Sequence, residues 1–180
     1  MPTVLGMTND KKKTGPSPGP GGPHVSSSTT MGSNERLDTI SKRNHAAARE
    51  METLLWRALC DEPESLKEYI AHDCVMINPL LAPGGSCEPL SKDTQPNVVD
   101  VLQAGANGNK FTGYRFHHDP FVVEVDLMAV ALVYKLSLFW QGKRGTKEIV
   151  ASASSTWRQT AGADWLLVAF HVAYADDDED

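Results

Sequence analysis

The chain has 180 residues, 41% hydrophobic and 22% charged, a composition that suits one soluble globular domain with room for a tail. Of its formal net charge of −6, most sits in the final run Asp176-Asp177-Asp178-Glu179-Asp180; the body before it is mildly acidic and has no basic stripe, which argues against a nucleic-acid surface. Cys60, Cys74 and Cys87 are odd in number and form no close pair. This usage suits reduced thiols in the cytoplasm, or in the nucleus, better than a disulfide framework. No stretch reaches membrane-spanning length, and the N-terminus lacks the apolar core of a signal peptide, so neither membrane insertion nor export is expected.

Residues 1–33 read as a tail. Thr14 to Pro23 is built largely from Gly, Pro and Ser, and Ser26 to Thr30 is all hydroxyl. Such a segment has too little apolar area to offset the entropy of ordering it. Lys11, Lys12 and Lys13 are best read as a solvated charge run.

The domain proper should begin near Asn34 with a long amphipathic helix ending at Cys60 and capped by Ser33 or Asn34. Ile40, Ala47, Met51, Leu54, Leu55, Ala58 and Leu59 recur near helical spacing, with Trp56 beside the stripe. Pro63 suits the first turn of a shorter helix with Leu66, Tyr69 and Ile70 inward. A short strand from Cys74 to Asn78 ends at Pro79. A Gly- and Pro-bearing loop, Leu80 to Thr94, leads to a third helix opened by Pro96 and closed by Gly105.

The last third of the chain is strand-rich. Phe121 to Asp126 reads as one strand, with its turn at Leu127-Met128. Val130, Leu132, Tyr134, Leu136, Leu138 and Trp140 then occupy every second position, which places them on one face of the next strand. Gln141 to Gly145 is a glycine-bearing turn. Lys147 to Arg158 is a further strand with Ile149, Ala151, Ala153, Ser155 and Trp157 on one side. Thr160 to Asp164 turns the chain again into Trp165 to Tyr174. The order is α+β: helices first, then an antiparallel meander whose strands are apolar on both faces and so need cover on both.

The run Ser154 to Ala175, SSTWRQTAGADWLLVAFHVAYA, is similar to the closing hairpin of the nuclear transport factor 2-like superfamily. The likeness is to the association domain of calcium/calmodulin-dependent kinase and to the SnoaL-like proteins. Trp157, Arg158, Gly162, Trp165, Val168 and the Phe170-His171 pair carry it. Upstream, His72-Asp73-Cys74-Val75-Met76-Ile77-Asn78-Pro79 resembles the segment between that family's second helix and first strand, so the resemblance spans roughly residues 34–175. It implies a cone, or cystatin-like α+β barrel. A strongly curved antiparallel sheet would wrap the N-terminal helix, leave an apolar pocket at the open end and dimerise through its outer face.

For the pocket, the resemblance singles out Lys135, which stands where the association domain has an arginine; two further basic positions of that domain are Ser155 and Val172 here. Trp56, Tyr69, Met76 and Asn78 from the first half, with Lys135, Phe139 and Ser155 from the strands, form the expected ligand-binding set. The expected ligand is small and hydrophobic or acidic. No cofactor is expected.

Catalytic residues are not assigned. Isomerase chemistry in this fold pairs a carboxylate base with a hydroxyl or acid, and Tyr69, Asp73, Asp119, Asp126 and Tyr134 have suitable side chains. Asp73 reads as a cap at the start of a strand, and Glu124 with Asp126 as surface acids. His117-His118-Asp119 lacks a third ligand at metal spacing, so no metal is expected, and His171 reads as structural. No phosphate loop or Ser-His-Asp array is present. The expected function is a homodimeric ligand-binding or association module. The alternative is a small isomerase or dehydratase acting on a hydrophobic metabolite, and an enclosed carboxylate within reach of Tyr69 or Tyr134 would favour it. A kinase-type hub would assemble beyond the dimer.

Overall fold

The computed structural model describes residues 31–108, 111–142 and 145–175. The expected tail over 1–30 and the acidic run 176–180 lie outside the described residues. Helix α1 runs from Met31 to Cys60, so it begins a few residues before the expected Ser33 or Asn34 cap. A 3-10 turn at Pro63–Ser65 leads into the single-turn helix α2, Leu66–Tyr69. The strands are β1 (Ile70–Ile77), β2 (Gly113–Phe116), β3 (Phe121–Asp126), β4 (Ala129–Gly142), β5 (Gly145–Gln159) and β6 (Trp165–Tyr174). Between β1 and β2 lies α3, Val98–Asn107. Its cap is Asn97, whose side chain accepts from the Asp100 backbone N–H at 2.9 Å. Pro96 therefore stands just ahead of the helix and does not open it.

The sheet runs β1-β6-β5-β4-β2, with β3 also paired to β4. The β4–β5–β6 meander is antiparallel, joined where the glycine turns were expected. Two features differ from the expected sheet. β1 starts at Ile70, well before Cys74, and pairs parallel with β6, Met76 standing opposite Phe170. No hairpin can join these two strands, because α3 and the four other strands lie between them in the chain, and parallel pairing is open to them. The sheet is therefore mixed and unclosed. The short β2, a glycine, a tyrosine, an arginine and a phenylalanine, has too little apolar periodicity to stand out in the sequence; its place is set by pairing with Leu136 to Phe139 of β4.

The core lies between α1 and the concave face of the sheet. Ala48, Leu55, Trp56 and Leu59 face it from the helix. Val130, Leu132, Tyr134, Leu136 and Leu138 face it from β4, Ala151, Ala153, Ser155 and Trp157 from β5, and Leu167, Phe170 and Val172 from β6. Full burial contributes roughly 1.5–3 kcal/mol for each large apolar side chain. Trp140, by alternation the next member of the inward row of β4, is instead exposed at the strand's far end, past the reach of the helix. A bulge in β6, where Thr156 opposes Ala169 and Trp157 opposes Leu167 so that Val168 is the extra residue, adds local twist and bend to that strand.

A candidate site inside the cone

Glu52 is fully buried. It lies on α1 one turn after Ala48 and one turn before Leu55 and Trp56, in the middle of the inward stripe. Its Oε1 accepts from the Tyr134 hydroxyl of β4. Its Oε2 accepts from the Ser155 hydroxyl and, at 2.7 Å, from the Trp157 indole N–H, both on β5. Trp56 Nε1 in turn donates to the Tyr134 hydroxyl at 2.8 Å.

Tyr134 and Ser155 are near neighbours across the β4–β5 ladder, where Leu132 opposes Ser155 and Tyr134 opposes Ala153. Strand alternation sends both side chains inward, and the helix delivers the carboxylate between them. Burial pushes the Glu52 carboxyl above the ordinary carboxylate range; hydrogen bonds from Ser155, Tyr134 and Trp157 pull the other way without cancelling it. Burial and the neighbouring Glu52 raise the Tyr134 hydroxyl well above its usual value. The cluster joins a carboxylate to hydroxyl and indole donors, and every hydrogen bond described to Glu52 comes from a neutral side chain.

Aromatic rings enclose this cluster. Phe170 meets Trp56 edge-on at 5.8 Å, and Trp56 lies 6.1 Å from Tyr114. Tyr114 then meets Phe116 at 5.4 Å, and Phe116 meets Tyr134 at 5.1 Å, the last two pairs T-shaped. Edge-to-face contacts of this kind are favourable beyond the area they bury. The surface depressions lie elsewhere. One of about 220 Å³ is lined by Val75, Ser154, Thr156, Ala169 and His171 on the outer sheet face. Another, of about 310 Å³, is lined by Lys67, His72, Lys92 and the start of α3.

No family model and no curated protein sequence matches this chain. Solved structures do. The association domain of C. elegans CaMKII superposes with a TM-score of 0.58 at 15% identity, covering 76% of this chain and 98% of that one. A nuclear transport factor 2-like superfamily protein from Salmonella enterica gives 0.58 at 11% identity, covering 79% and 95%. A protein from Novosphingobium aromaticivorans described as ntf2-like with a cystatin-like fold gives 0.58 at 16%, covering 85% and 94%.

The chain has the nuclear transport factor 2-like fold.

Within this fold the expected ligand set is divided. Trp56 and Ser155 belong to the Glu52 cluster. Met76 is buried nearby on β1, its backbone bridged to Leu90 in both directions at 2.9 and 2.7 Å. Tyr69 is half-buried at the end of α2. Asn78 is buried but serves the backbone: its Oδ1 accepts from the N–H groups of Leu80 and Leu81 at 3.1 and 3.2 Å.

Lys135 is exposed on the outer face, because Tyr134 and Leu136 on either side of it take the inner one. Phe139 shares that outer side, under the Arg115 guanidinium at 5.7 Å. These two residues do not join the inner cluster.

The remaining candidates are dispersed. Asp73 forms a two-pronged pair with Arg158 at 2.8 and 3.1 Å, which holds its carboxyl below the usual range. Asp73 is thus an exposed cross-strand partner of Arg158. Asp126 accepts from the Met128 N–H in the β3–β4 turn, Glu124 contacts His45 at 3.1 Å, and Asp119 is exposed. His117 Nε2 lies 2.9 Å from the buried Ser137 hydroxyl, and His171 is exposed on the outer face. Among the described residues, no group of three His, Cys, Asp or Glu could hold a metal. No described helix is long and apolar enough to cross a membrane.

Glu52 is absent from the set of residues the sequence singles out. The signal is nonetheless there: a glutamate four residues after Ala48 and three before Leu55 stands on the buried stripe. Glu50, two residues away, looks the same by composition and lies on the solvent side.

Proposed function

We propose that this chain is a self-associating module that dimerises through the outer face of its sheet. The observation that carries the reading is one row across five strands. Val123 opposes Ala131, Ala131 opposes Thr156, Thr156 opposes Ala169, and Ala169 opposes Val75. Val123 and Val75 at its two ends are 52% and 45% exposed, and Phe121 and Val133 add to the same face at 75% and 49%. The row has no charge and no bulky side chain in its middle, so a second sheet can approach closely. Exposed apolar side chains gathered on one sheet face favour an interaction surface. Similarity to an association domain supports the same reading.

Thr156→Lys puts a charge in the centre of that row without touching the core. Light scattering at micromolar concentration should show the wild type as a dimer or larger and the variant at half that mass or less. A wild-type mass for Thr156→Lys would overturn the proposal.

A second reading, an isomerase or dehydratase acting on a small hydrophobic metabolite, is favoured by one observation, the enclosed Glu52 carboxylate on the Tyr134 hydroxyl. In that reading Glu52 is the base and Tyr134 the stabilising donor, with Trp56, Met76 and Ser155 against the ligand. It expects a small molecule to co-purify with the wild type and be lost from Glu52→Gln in native mass spectrometry. The same adduct on both proteins, or on neither, would remove it.

A further inference from the structure

His171 stands within the outer face of the sheet. It opposes Ser154 of β5 on one side and Ile77 of β1 on the other, two places after Ala169 of the uncharged row. With Val75, Ile77, Ser154, Thr156 and Ala169 it lines the depression of about 220 Å³ on that face. The side chain is exposed, and among the described residues no carboxylate lies within ion-pair distance of its ring. The charged groups of the face stand away from it. Asp73 of β1 and Arg158 of β5 are paired with each other beyond the uncharged row. On the other side, Lys135 of β4 opposes Ser152, which opposes Ala173, and Glu148 further along β5 is paired with Arg115. Pro89, from the loop after β1, also lines the depression, and Glu88 next to it in the chain is exposed and not paired to His171.

We propose that His171 governs the outer-face contact: two copies associate while its imidazole is neutral and separate when it takes up a proton. This control rests on the self-association proposed above and adds what regulates it. A two-fold, face-to-face contact uses the same patch on both chains, so it encloses two copies of this ring among valine, isoleucine and alanine side chains. A neutral imidazole can enter such surroundings. An imidazolium would give up its hydration there with no carboxylate to replace it, and Lys135 on the same face adds charge of the same sign. A form that only the separated chains hold well draws the equilibrium toward separation as that form becomes populated. Histidine is the side chain that ordinarily changes charge between pH 5 and 8. The Asp73 carboxyl, held below the usual range by Arg158, keeps its charge throughout.

The test follows the full chain by light scattering over a dilution series at pH 8.0 and at pH 5.5, with circular dichroism to confirm folding at both. The wild type should be a dimer or larger at pH 8.0 and should associate at least about tenfold more weakly at pH 5.5. His171→Gln, which is neutral at both values, should keep its mass at both, although every other histidine is still present. His171→Arg, which is charged at both, should have half the wild-type mass or less even at pH 8.0. A wild type as heavy at pH 5.5 as at pH 8.0 would overturn the control by His171 and leave the outer-face contact standing. So would a His171→Gln that loses mass on acidification as the wild type does, or a folded His171→Arg of wild-type mass at pH 8.0. A wild type that is a monomer at pH 8.0 would instead remove the outer-face contact, and its control with it.

Discussion

Tyr134 donates its hydroxyl proton to Glu52 while accepting one from the indole of Trp56. This two-bond relay ties the middle of α1 to the middle of β4 in a region closed to solvent. It also makes the Tyr134 oxygen answerable to two partners at once. A buried carboxylate is costly unless its lone pairs are occupied, and here the Tyr134, Ser155 and Trp157 donors occupy them.

Glu52 should give the fold a particular dependence on pH. Its native pKa is raised above the ordinary value of 4.5, so between the two values the native state holds a proton that the unfolded chain has lost. Stability is then fullest at and below the ordinary value, falls as pH rises through the native one, and levels off above it. Urea midpoints of the wild type should fall across that window, and those of Glu52→Gln should not. Parallel pH curves for the two proteins would show that Glu52 does not titrate as its surroundings require.

Glu52→Gln and Tyr134→Phe should not add. An amide at position 52 has one acceptor oxygen; with it kept on Ser155 and Trp157, the Tyr134 O–H is left unpaired. A buried unpaired donor costs about 1–3 kcal/mol. Tyr134→Phe leaves the Trp56 N–H unpaired and costs a similar amount. In the double variant the amide can turn its oxygen to Ser155 and Trp157, and no tyrosine proton is stranded. The double loss should fall short of the summed single losses by at least about 0.5 kcal/mol. Simple additivity would mean that the two side chains do not act as one network.

The inward row of β4, the two hairpin turns and the helix-first order follow from period-two and period-3.6 patterns, and these residues, Trp140 excepted, stand where those patterns place them. The patterns are strong because burial on one face repeats along a whole element. Lys135 shows the limit. Alternation places it opposite Tyr134 and Leu136, but which face is concave depends on where α1 docks, and that is a tertiary fact. Glu52 shows the other limit. A charge within an apolar stripe reads as an exception until the strands that supply its donors are seen, and Ser155 and Trp157 are 103 and 105 residues away in sequence. The parallel pairing of β1 with β6 is non-local in the same way.

Asn78 should matter to stability in a manner unlike a ligand contact. Its Oδ1 accepts from two buried backbone N–H groups in the turn that follows β1. Asn78→Ala strands the Leu80 N–H, while the Leu81 N–H keeps the Asn78 backbone carbonyl at 3.1 Å, and should cost about 1–3 kcal/mol, whereas Asn78→Asp keeps the acceptor geometry and should cost less. Denaturation midpoints order the three proteins. An alanine variant as stable as the wild type would show that the turn holds without its side chain.

The three cysteines should separate cleanly by reactivity, because only the thiolate attacks a thiol reagent. Burial, with a smaller contribution from Asp61, pushes Cys60 up to about 12, and burial with Asp73 does the same to Cys74. Cys87 is exposed in the loop after β1. In native protein at neutral pH one thiol per chain should therefore react quickly with an aromatic disulfide reagent, and Cys87→Ser should abolish that fast phase. All three should react once urea unfolds the chain. Fast reaction of a second thiol in native Cys87→Ser would place Cys60 or Cys74 in contact with solvent, and would contradict the closed packing of α1 and β1 against the core.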